Sequence, residues 1–366
     1  MTSMRRVVVY PGRIAVEQAD VPVPGPREAL VRVLAAGVCG SDLHAARGRH
    51  PFVSLPYRPG HEVVGVIEAT GPAVTGPAIT GPAVTGPAIT GPAITGPAVT
   101  GRPRGQRVVV APYLPCWTCK MCGSGRENLC ENLQFFGCGY PQGGMADAFT
   151  LAADRLFPVP DDLDDHSAAL IEPLSTPVHA VRLAGEVTSR SVAVLGAGTI
   201  GLFTIAVLRA HGAGKIISTD PNPGKRQRAA ALGADATFDA RSPDVAGQVR
   251  KALDGSADIV FDCVAVQSSL DQAIAIADKG GTVVVVGVPA GEVTVPLPIV
   301  QDHQIRIQGS ATYLPEDYRE SIDLLSRAVV KTADFVTATR PLPQVAEAFE
   351  LASSGNHVKV LVTVGE

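Results

Sequence analysis

The sequence is poor in charged and aromatic residues. Charged side chains make up 18% of the 366 residues and aromatic side chains 5%, with a single tryptophan. The formal net charge is −4 at pH 7. Nucleic acids and anionic membrane surfaces attract an excess of positive charge, so we expect neither as a partner. The 46% of hydrophobic residues is instead typical of a globular protein, and the chain is long enough for two domains.

No segment predicts secretion or membrane insertion. Residues 1–9 contain two arginines but no apolar core and no cleavage site, so we expect no signal peptide. The uncharged stretch 69–101 carries a proline every five residues, which excludes a membrane-spanning helix. The seven cysteines are an odd number, and four of them are crowded together, which is unlike a secreted disulfide framework. We therefore expect a cytoplasmic protein.

Residues 71–100 form six tandem copies of the pentapeptide Gly-Pro-Ala-(Val/Ile)-Thr. A period of five fits neither a strand nor a helix, so no face becomes apolar. We interpret the repeat as a tandem duplication inserted in a surface loop, because lengthening a loop costs only about 0.6 kcal/mol per doubling. An elastomeric or adhesive segment is the alternative function.

Four cysteines have the spacing of a metal site, C-x2-C-x2-C-x7-C. Four thiolates without a histidine make a closed tetrahedral site, which suits structural zinc. An iron–sulfur cluster is the competing interpretation, but the fourth cysteine lies outside a ferredoxin-like run and no proline follows it. We predict a structural zinc site, and its ligands are Cys116, Cys119, Cys122 and Cys130.

A second group of ligand-type residues suits a zinc site with an open coordination position. Cys39 and His61 lie beside glycines, and Glu62 follows His61 directly. Glu172 is a carboxylate in an apolar sequence, and a buried carboxylate needs a partner such as a metal ion. A thiolate, an imidazole and one carboxylate are the donors of a catalytic zinc. Glu62 and Glu172 compete for the carboxylate position, and strand geometry places His61 and Glu62 on opposite faces.

Alternating strands and helices from residue 191 predict a doubly wound parallel sheet with a dinucleotide site. Gly196 would make the tight turn, Gly198 would admit the pyrophosphate, and Gly201 would let the helix pack on the strand. Asp220 would bind the adenosine ribose hydroxyls and repel a 2′-phosphate, which favours NAD, whereas nearby Lys225 and Arg226 keep NADP as the alternative. The residues assigned to this site are Gly196, Gly198, Thr199, Ile200, Gly201, Asp220, Lys225 and Gly287.

These motifs together resemble those of the zinc-dependent medium-chain dehydrogenases/reductases of the alcohol dehydrogenase superfamily. The family's zinc signature matches the run Gly60-His61-Glu62-x2-Gly65-x5-Gly71-x2-Val74. The run Glu172-Pro173-Leu174 resembles the branch of sorbitol, butanediol and threonine dehydrogenases, in which that glutamate lies in the zinc shell; liver-type alcohol dehydrogenases have a cysteine there. The resemblance covers nearly the whole chain apart from the surplus copies of the pentapeptide.

The resemblance implies a β-rich, GroES-like catalytic domain over residues 1–160, a Rossmann-type NAD-binding domain over 161–300, and a return to the catalytic domain over 301–366. It also implies a homodimer or homotetramer, and the segments 282–287 and 293–300 could extend a sheet across a two-fold axis. The expected cofactors are two Zn²⁺ ions per chain and NAD, and the expected substrate is a small alcohol or ketone.

The resemblance further implies the roles of the residues at the catalytic zinc. Cys39, His61 and Glu172 would bind the ion, with Glu62 as an exchanging or neighbouring group, while Ser41 and His44 would relay the proton of a secondary alcohol or polyol. Three alternatives stay open: a non-catalytic nucleotide-binding relative, an NADP-dependent carbonyl reductase, and a zinc-free quinone or enoyl reductase.

Overall fold

The computed structural model describes residues 3–74 and 104–365, so the predicted repeat from residue 75 onward lies outside the described residues. The chain divides into two compact units, Met1–Glu172 with Val336–Glu366, and Pro173–Phe335. The boundaries expected after residues 160 and 300 differ from these. The return to the first unit comes at residue 336, because the strand Arg306–Gly309 pairs in parallel with the sheet of the second unit.

The first unit begins with strands connected by short helices. Two 3-10 helices, Glu127–Leu129 and Ala153–Arg155, lie among them. The strands are β1 (Ser3–Tyr10), β2 (Arg13–Asp20), β3 (Glu28–Val38), β4 (Glu62–Thr70), β5 (Arg107–Val110), β6 (Tyr113–Leu114), β7 (Gln134–Phe135), β8 (Ala148–Ala152) and β9 (Leu156–Pro158). The helices are α1 (Gly40–Ala46), α2 (Lys120–Gly123), α3 (Asp165–Ala168) and α4 (Ile171–Ala184), the last of which continues into the second unit.

The second unit alternates strands and helices, as predicted. Its strands are β10 (Val192–Leu195), β11 (Ile216–Thr219), β12 (Ala236–Phe238), β13 (Ala257–Asp262), β14 (Ala277–Val285) and β15 (Arg306–Gly309). Its further helices are α5 (Thr199–Ala210), α6 (Pro223–Ala231), α7 (Val245–Leu253), α8 (Gln267–Ile276), α9 (Leu297–Asp302), α10 (Pro315–Ser326) and α11 (Thr332–Phe335). The chain then returns to the first unit with β16 (Val336–Pro341), a 3-10 helix (Leu342–Gln344), α12 (Val345–Ser353) and β17 (Lys359–Thr363).

The main sheet of the first unit places three distant segments side by side. Its strand order in the described chain is β16-β17-β3-β4-β5-β9, and β8 also pairs with β3. The central strand β3 runs antiparallel to both of its neighbours, so that Gly37 lies opposite Leu361 on β17 and opposite Glu62 on β4. This register brings the C-terminal strand next to the predicted zinc ligands.

The sheet of the second unit has the order β12-β11-β10-β13-β14-β15 among the described residues, and every pairing is parallel. All residues of β10 are buried, as expected for a central parallel strand that is covered on both faces. The predicted doubly wound sheet is confirmed, and its order reverses between β10 and β13, where such folds bind nucleotides.

Helices α4 and α10 of the second unit are joined by an ionic network. Asp317, which is fully buried, lies 2.8 Å from His179 Nδ1 and accepts a hydrogen bond of 2.8 Å from Arg182 Nε. Arg182 also donates to Glu320, whose other oxygen lies 2.7 Å from His211 Nε2 on the turn after α5. No helix among the described residues is long and apolar enough to cross a membrane.

Candidate zinc and dinucleotide sites

Cys39, His61 and Glu62 meet in the first unit. Cys39 ends β3 and precedes α1, while His61 immediately precedes β4, which pairs with β3. One donor atom from each residue lies within 4.8 Å of the others, a spacing that allows the three to hold one metal ion. The predicted convergence of a thiol, an imidazole and a carboxylate is therefore present in the structure.

The environment of His61 suits a metal ligand. The ring is buried, its Nε2 lies 3.4 Å from Ser41 Oγ, and its Nδ1 has no hydrogen-bond partner among the described residues. Burial by itself lowers the pKa of His61, but the nearby Cys39 and Asp42 raise that pKa well above its usual value. A metal ion at this site would displace the proton, because metal ligation requires the neutral imidazole.

Glu62 has a partner that sequence reasoning missed. The ammonium group of Lys359 on β17 donates to Glu62 Oε1 over 2.5 Å and to the carbonyl of Val38 over 3.3 Å. Burial lowers the pKa of Lys359, but Glu62 and Cys39 raise it above its usual value. A signal existed: Lys359 is the one charged residue in the apolar run 358–364, and a buried charge needs a counter-charge.

Glu172 lies at the start of α4 and is buried, with 6% of its surface exposed. Its charge acts on both His61 and Lys359, raising their pKa values. Glu172 is not part of the group whose donor atoms all lie within 4.8 Å. Its predicted ligation of the metal therefore stays a prediction, while Glu62 is engaged by Lys359.

Helix α1 carries the two predicted relay residues. Ser41 is half-buried beside His61, and His44 is exposed on the same helix. The carboxylate of Asp42 accepts the backbone N–H of Cys39 over 3.0 Å and the hydroxyl of Tyr57 over 3.2 Å. Asp42 is therefore part of a capping box at the start of α1 and fixes the backbone that presents Cys39.

The four cysteines of the second predicted zinc site form a cluster around α2. One sulfur atom from each lies within 4.8 Å of the others, as a tetrahedral site requires. A hydrogen bond from Thr118 lowers the pKa of Cys116 to about 5, whereas burial raises the pKa of Cys122 to about 12. Zinc binding here must therefore expel protons from some of the thiols and would be favoured as the pH rises. The cluster consists of Cys116, Cys119, Cys122 and Cys130.

The glycines after β10 have the geometry of a dinucleotide-binding turn. Gly196 has φ +89°, a backbone conformation that other residues rarely adopt. A Cβ atom at Gly201 would lie 1.8 Å from the carbonyl oxygen of Gly196, so the helix can approach the strand only with glycine there. A Cβ atom at Gly198 would meet nothing within 4 Å, which leaves open space at the start of α5. Thr199 and Ile200 form the first turn of that helix, where phosphates bind.

Asp220 follows β11 and supports this turn directly. Its carboxylate accepts the backbone N–H of Ala197 over 2.9 Å and that of Asn222 over 2.8 Å. Arg226 donates to the carbonyl oxygen of Asp220 over 2.7 Å, so its guanidinium is held against the backbone. The remaining predicted residues are Lys225, half-buried in the first turn of α6, and Gly287, which follows β14 and donates to the carbonyl of Asp262.

Comparisons with known proteins agree with this arrangement. The family model described as an alcohol dehydrogenase GroES-like domain matches residues 25–161, and that described as a zinc-binding dehydrogenase matches residues 199–327. L-galactonate-5-dehydrogenase of Escherichia coli (strain K12) is 30% identical over 93% of this chain and 92% of its own. Sorbitol dehydrogenase of Bacillus subtilis (strain 168) is 31% identical over 96% and 94%.

A solved structure of a zinc-binding dehydrogenase from Sinorhizobium meliloti 1021, bound to NADP, has a TM-score of 0.86 and 29% identity, and covers 99% of this chain and 100% of its own. The chain therefore belongs to the zinc-dependent medium-chain dehydrogenases, which confirms the resemblance found in its motifs. It is an oxidoreductase of the alcohol dehydrogenase type, with a GroES-like domain.

Proposed function

We propose that this protein is an NAD-dependent zinc dehydrogenase that oxidises secondary alcohols or polyols and reduces the matching ketones. The observation that carries the proposal is the convergence of Cys39, His61 and Glu62 within 4.8 Å, with the buried Glu172 close enough to act on His61. The sorbitol and L-galactonate dehydrogenases among its relatives support a polyol or sugar acid as substrate.

Cys39, His61 and Glu172 would hold the catalytic zinc. A zinc ion bound there supplies a Lewis acid that polarises the substrate oxygen and eases loss of its hydroxyl proton. Ser41, with Oγ 3.4 Å from His61 Nε2, would accept that proton. His44, which is exposed on the same helix, would pass it towards solvent. NAD, held by the turn from Gly196 to Gly201, would supply the acceptor for the hydride of the carbinol carbon, so that oxidation of the alcohol would give the ketone.

NAD is the proposed coenzyme. Asp220 is buried at the end of β11, where its charge opposes a 2′-phosphate. Arg226, a candidate phosphate ligand, is bound to the carbonyl oxygens of Asp220 and Pro221 instead. Because one solved relative contains NADP, the test has to compare both coenzymes.

The test is to measure metal content and coenzyme reduction on the same preparation. We expect about two zinc ions per chain, from one closed and one open site, and NAD reduction with at least one of sorbitol, butanediol, threonine or a simple secondary alcohol. His61→Ala should remove about one zinc ion and abolish turnover. His357→Ala lies outside both predicted metal sites and should keep about two zinc ions and full turnover. A zinc-loaded wild type that oxidises none of these substrates would contradict the proposal, and so would a preparation without zinc.

We further propose a cytoplasmic homodimer or homotetramer that associates through β15. This strand, rather than the expected segment 282–287, is the last of the described sheet. Several large apolar residues in and before β15 are exposed, and they are Val288, Val293, Leu297, Ile299 and Ile307. Leu297→Asp should lower the molar mass measured by light scattering, whereas Val23→Asp, at an exposed position of the first unit, should not. An unchanged mass for Leu297→Asp would contradict this interface.

A further inference from the structure

The contact between Lys359 and Glu62 passes over the central strand β3 at a position that has no side chain. The two residues lie on β17 and β4, the strands on either side of β3. Gly37 of β3 lies opposite Glu62, and a Cβ atom at Gly37 would come within 1.9 Å of Glu62 Oε2. Because Gly37 has no side chain, the carboxylate can lie over β3 and reach the ammonium group.

The two oxygens of Glu62 have different surroundings. Oε1 accepts the hydrogen bond from Lys359, whereas Oε2 is buried and has no hydrogen-bond partner among the described residues. Glu62 itself is fully buried, and 3% of Lys359 is exposed. An unpaired buried oxygen is costly, and the donor atoms of Cys39 and His61 lie within 4.8 Å of this carboxylate. The positive charge of a metal ion held by Cys39 and His61 would stabilise this nearby oxygen without a direct bond to it.

Charge balance points the same way. The charges of a Zn²⁺ ion and of Lys359 together match those of the Cys39 thiolate and of the carboxylates of Glu62 and Glu172. Asp42 is a further buried carboxylate, and burial raises its pKa. Without Lys359, Glu62 would be a buried carboxylate without a counter-ion of its own, a costly arrangement that a direct bond to the metal would relieve.

We propose that Lys359 is a positioning residue that keeps Glu62 beside the catalytic zinc but out of its coordination shell, so that one coordination position stays open for substrate. This inference rests on the proposed zinc site and extends it by one residue. The ammonium group fixes Oε1, and the distance that Glu62 can move towards the metal is set by the contact with Lys359. Removal of the charge on Lys359 should therefore strengthen metal binding, and removal of the charge on Glu62 should weaken it.

The test uses the full-length protein with Co²⁺ in place of zinc, because the visible spectrum of Co²⁺ reports its coordination number without turnover. Cobalt at the four-cysteine site should absorb equally in all variants, so difference spectra between each variant and wild type report the catalytic site. The variants are Lys359→Met, Glu62→Gln and the double variant, with Leu361→Met on the same face of β17 as the control for packing. Retention of the metal against a chelator and the separate values of kcat and KM are measured in parallel.

With Lys359→Met, we expect the weaker absorption of a higher coordination number, slower metal loss and a lower kcat. With Glu62→Gln, we expect faster metal loss. The changes should be about 10–100-fold, the range found for groups that support metal ligands. The double variant should have the same cobalt spectrum, rate of metal loss and kcat as Glu62→Gln. This comparison tests whether Lys359 acts through Glu62 even if Lys359→Met alone fails to fold. Leu361→Met should match wild type.

Two results would overturn the inference. One is faster metal loss with an unchanged cobalt spectrum in both single variants, which indicates a packing role for the pair. The other is a double variant whose spectrum and kcat differ from those of Glu62→Gln, since Lys359 would then act through another group. A wild-type protein that takes up no cobalt at Cys39 and His61 would refute the proposed zinc site itself, and this is seen before any variant is compared.

Discussion

Replacement of Gly37 by alanine should destabilise the first unit far more than a glycine-to-alanine change usually does. The new Cβ atom would lie 1.9 Å from Glu62 Oε2 and 3.0 Å from both Cβ and Cδ of Glu62. These distances are shorter than van der Waals contact, and Glu62 is fully buried, so the carboxylate has to move. Its movement separates Oε1 from the ammonium group of Lys359.

The expected size follows from what is lost. Overpacking alone costs about 1–3 kcal/mol, and breaking a buried ion pair costs about 3–5 kcal/mol because a charge is left without a partner. Loss of the pair is the larger effect and sets the expected value. For a unit of this size, each kcal/mol lost from the free energy of unfolding lowers the thermal midpoint by about 2–4 °C, so a decrease of about 6–20 °C is expected.

Thermal unfolding of the metal-free protein, followed by circular dichroism, measures this effect. Gly40→Ala is the matched control, since it lies on the other side of Cys39 in α1 and its Cβ atom would meet nothing within 4 Å. It should leave the midpoint unchanged or raise it slightly. In a protein that already carries Glu62→Ala, Gly37→Ala should lower the thermal midpoint much less, because the clashing carboxylate is absent. A midpoint for Gly37→Ala within about 1 °C of wild type would refute the reasoning.

Three further outcomes are expected. Asp220→Ala should lower the ratio of kcat/KM for NAD over NADP by about 10–100-fold, because hydrogen bonds to a charged group contribute about 1.5–3 kcal/mol; an unchanged ratio argues against the ribose contact. Cys122→Ser should remove about one zinc ion per chain in metal analysis, while Cys263→Ser should retain both, and equal zinc content in the two variants contradicts the four-cysteine site. The hydrogen bond to Glu320 raises the pKa of His211 above 6.5, so its stabilising effect is complete below that pH and is lost as the pH rises through the raised pKa. The difference in thermal midpoint between wild type and His211→Gln should therefore be larger at about pH 5.5 than at about pH 9, and equal differences would exclude the ion pair.

Local patterns were sufficient for most of the fold and for the grouping of the predicted ligands. The turn from Gly196 to Gly201 and the acidic residue Asp220 occupy positions that backbone geometry dictates, so their predicted roles rest on spacing alone. The same holds for the four cysteines, whose short spacing keeps them together whatever the rest of the chain does. The boundary near residue 300 was wrong because a single strand, Arg306–Gly309, joins a sheet through pairing that leaves no local pattern.

The sequence by itself determined which chemistry this protein can perform, since the donor atoms of both predicted metal sites and the glycine-rich turn belong to short segments with characteristic spacing. Only the tertiary structure decided how Glu62 is held. Its partner Lys359 lies 297 positions further along the chain, and the two meet because β17 and β4 flank Gly37. Strand order and register come from the burial of whole strands, and they bring together charges that no local pattern of the sequence connects.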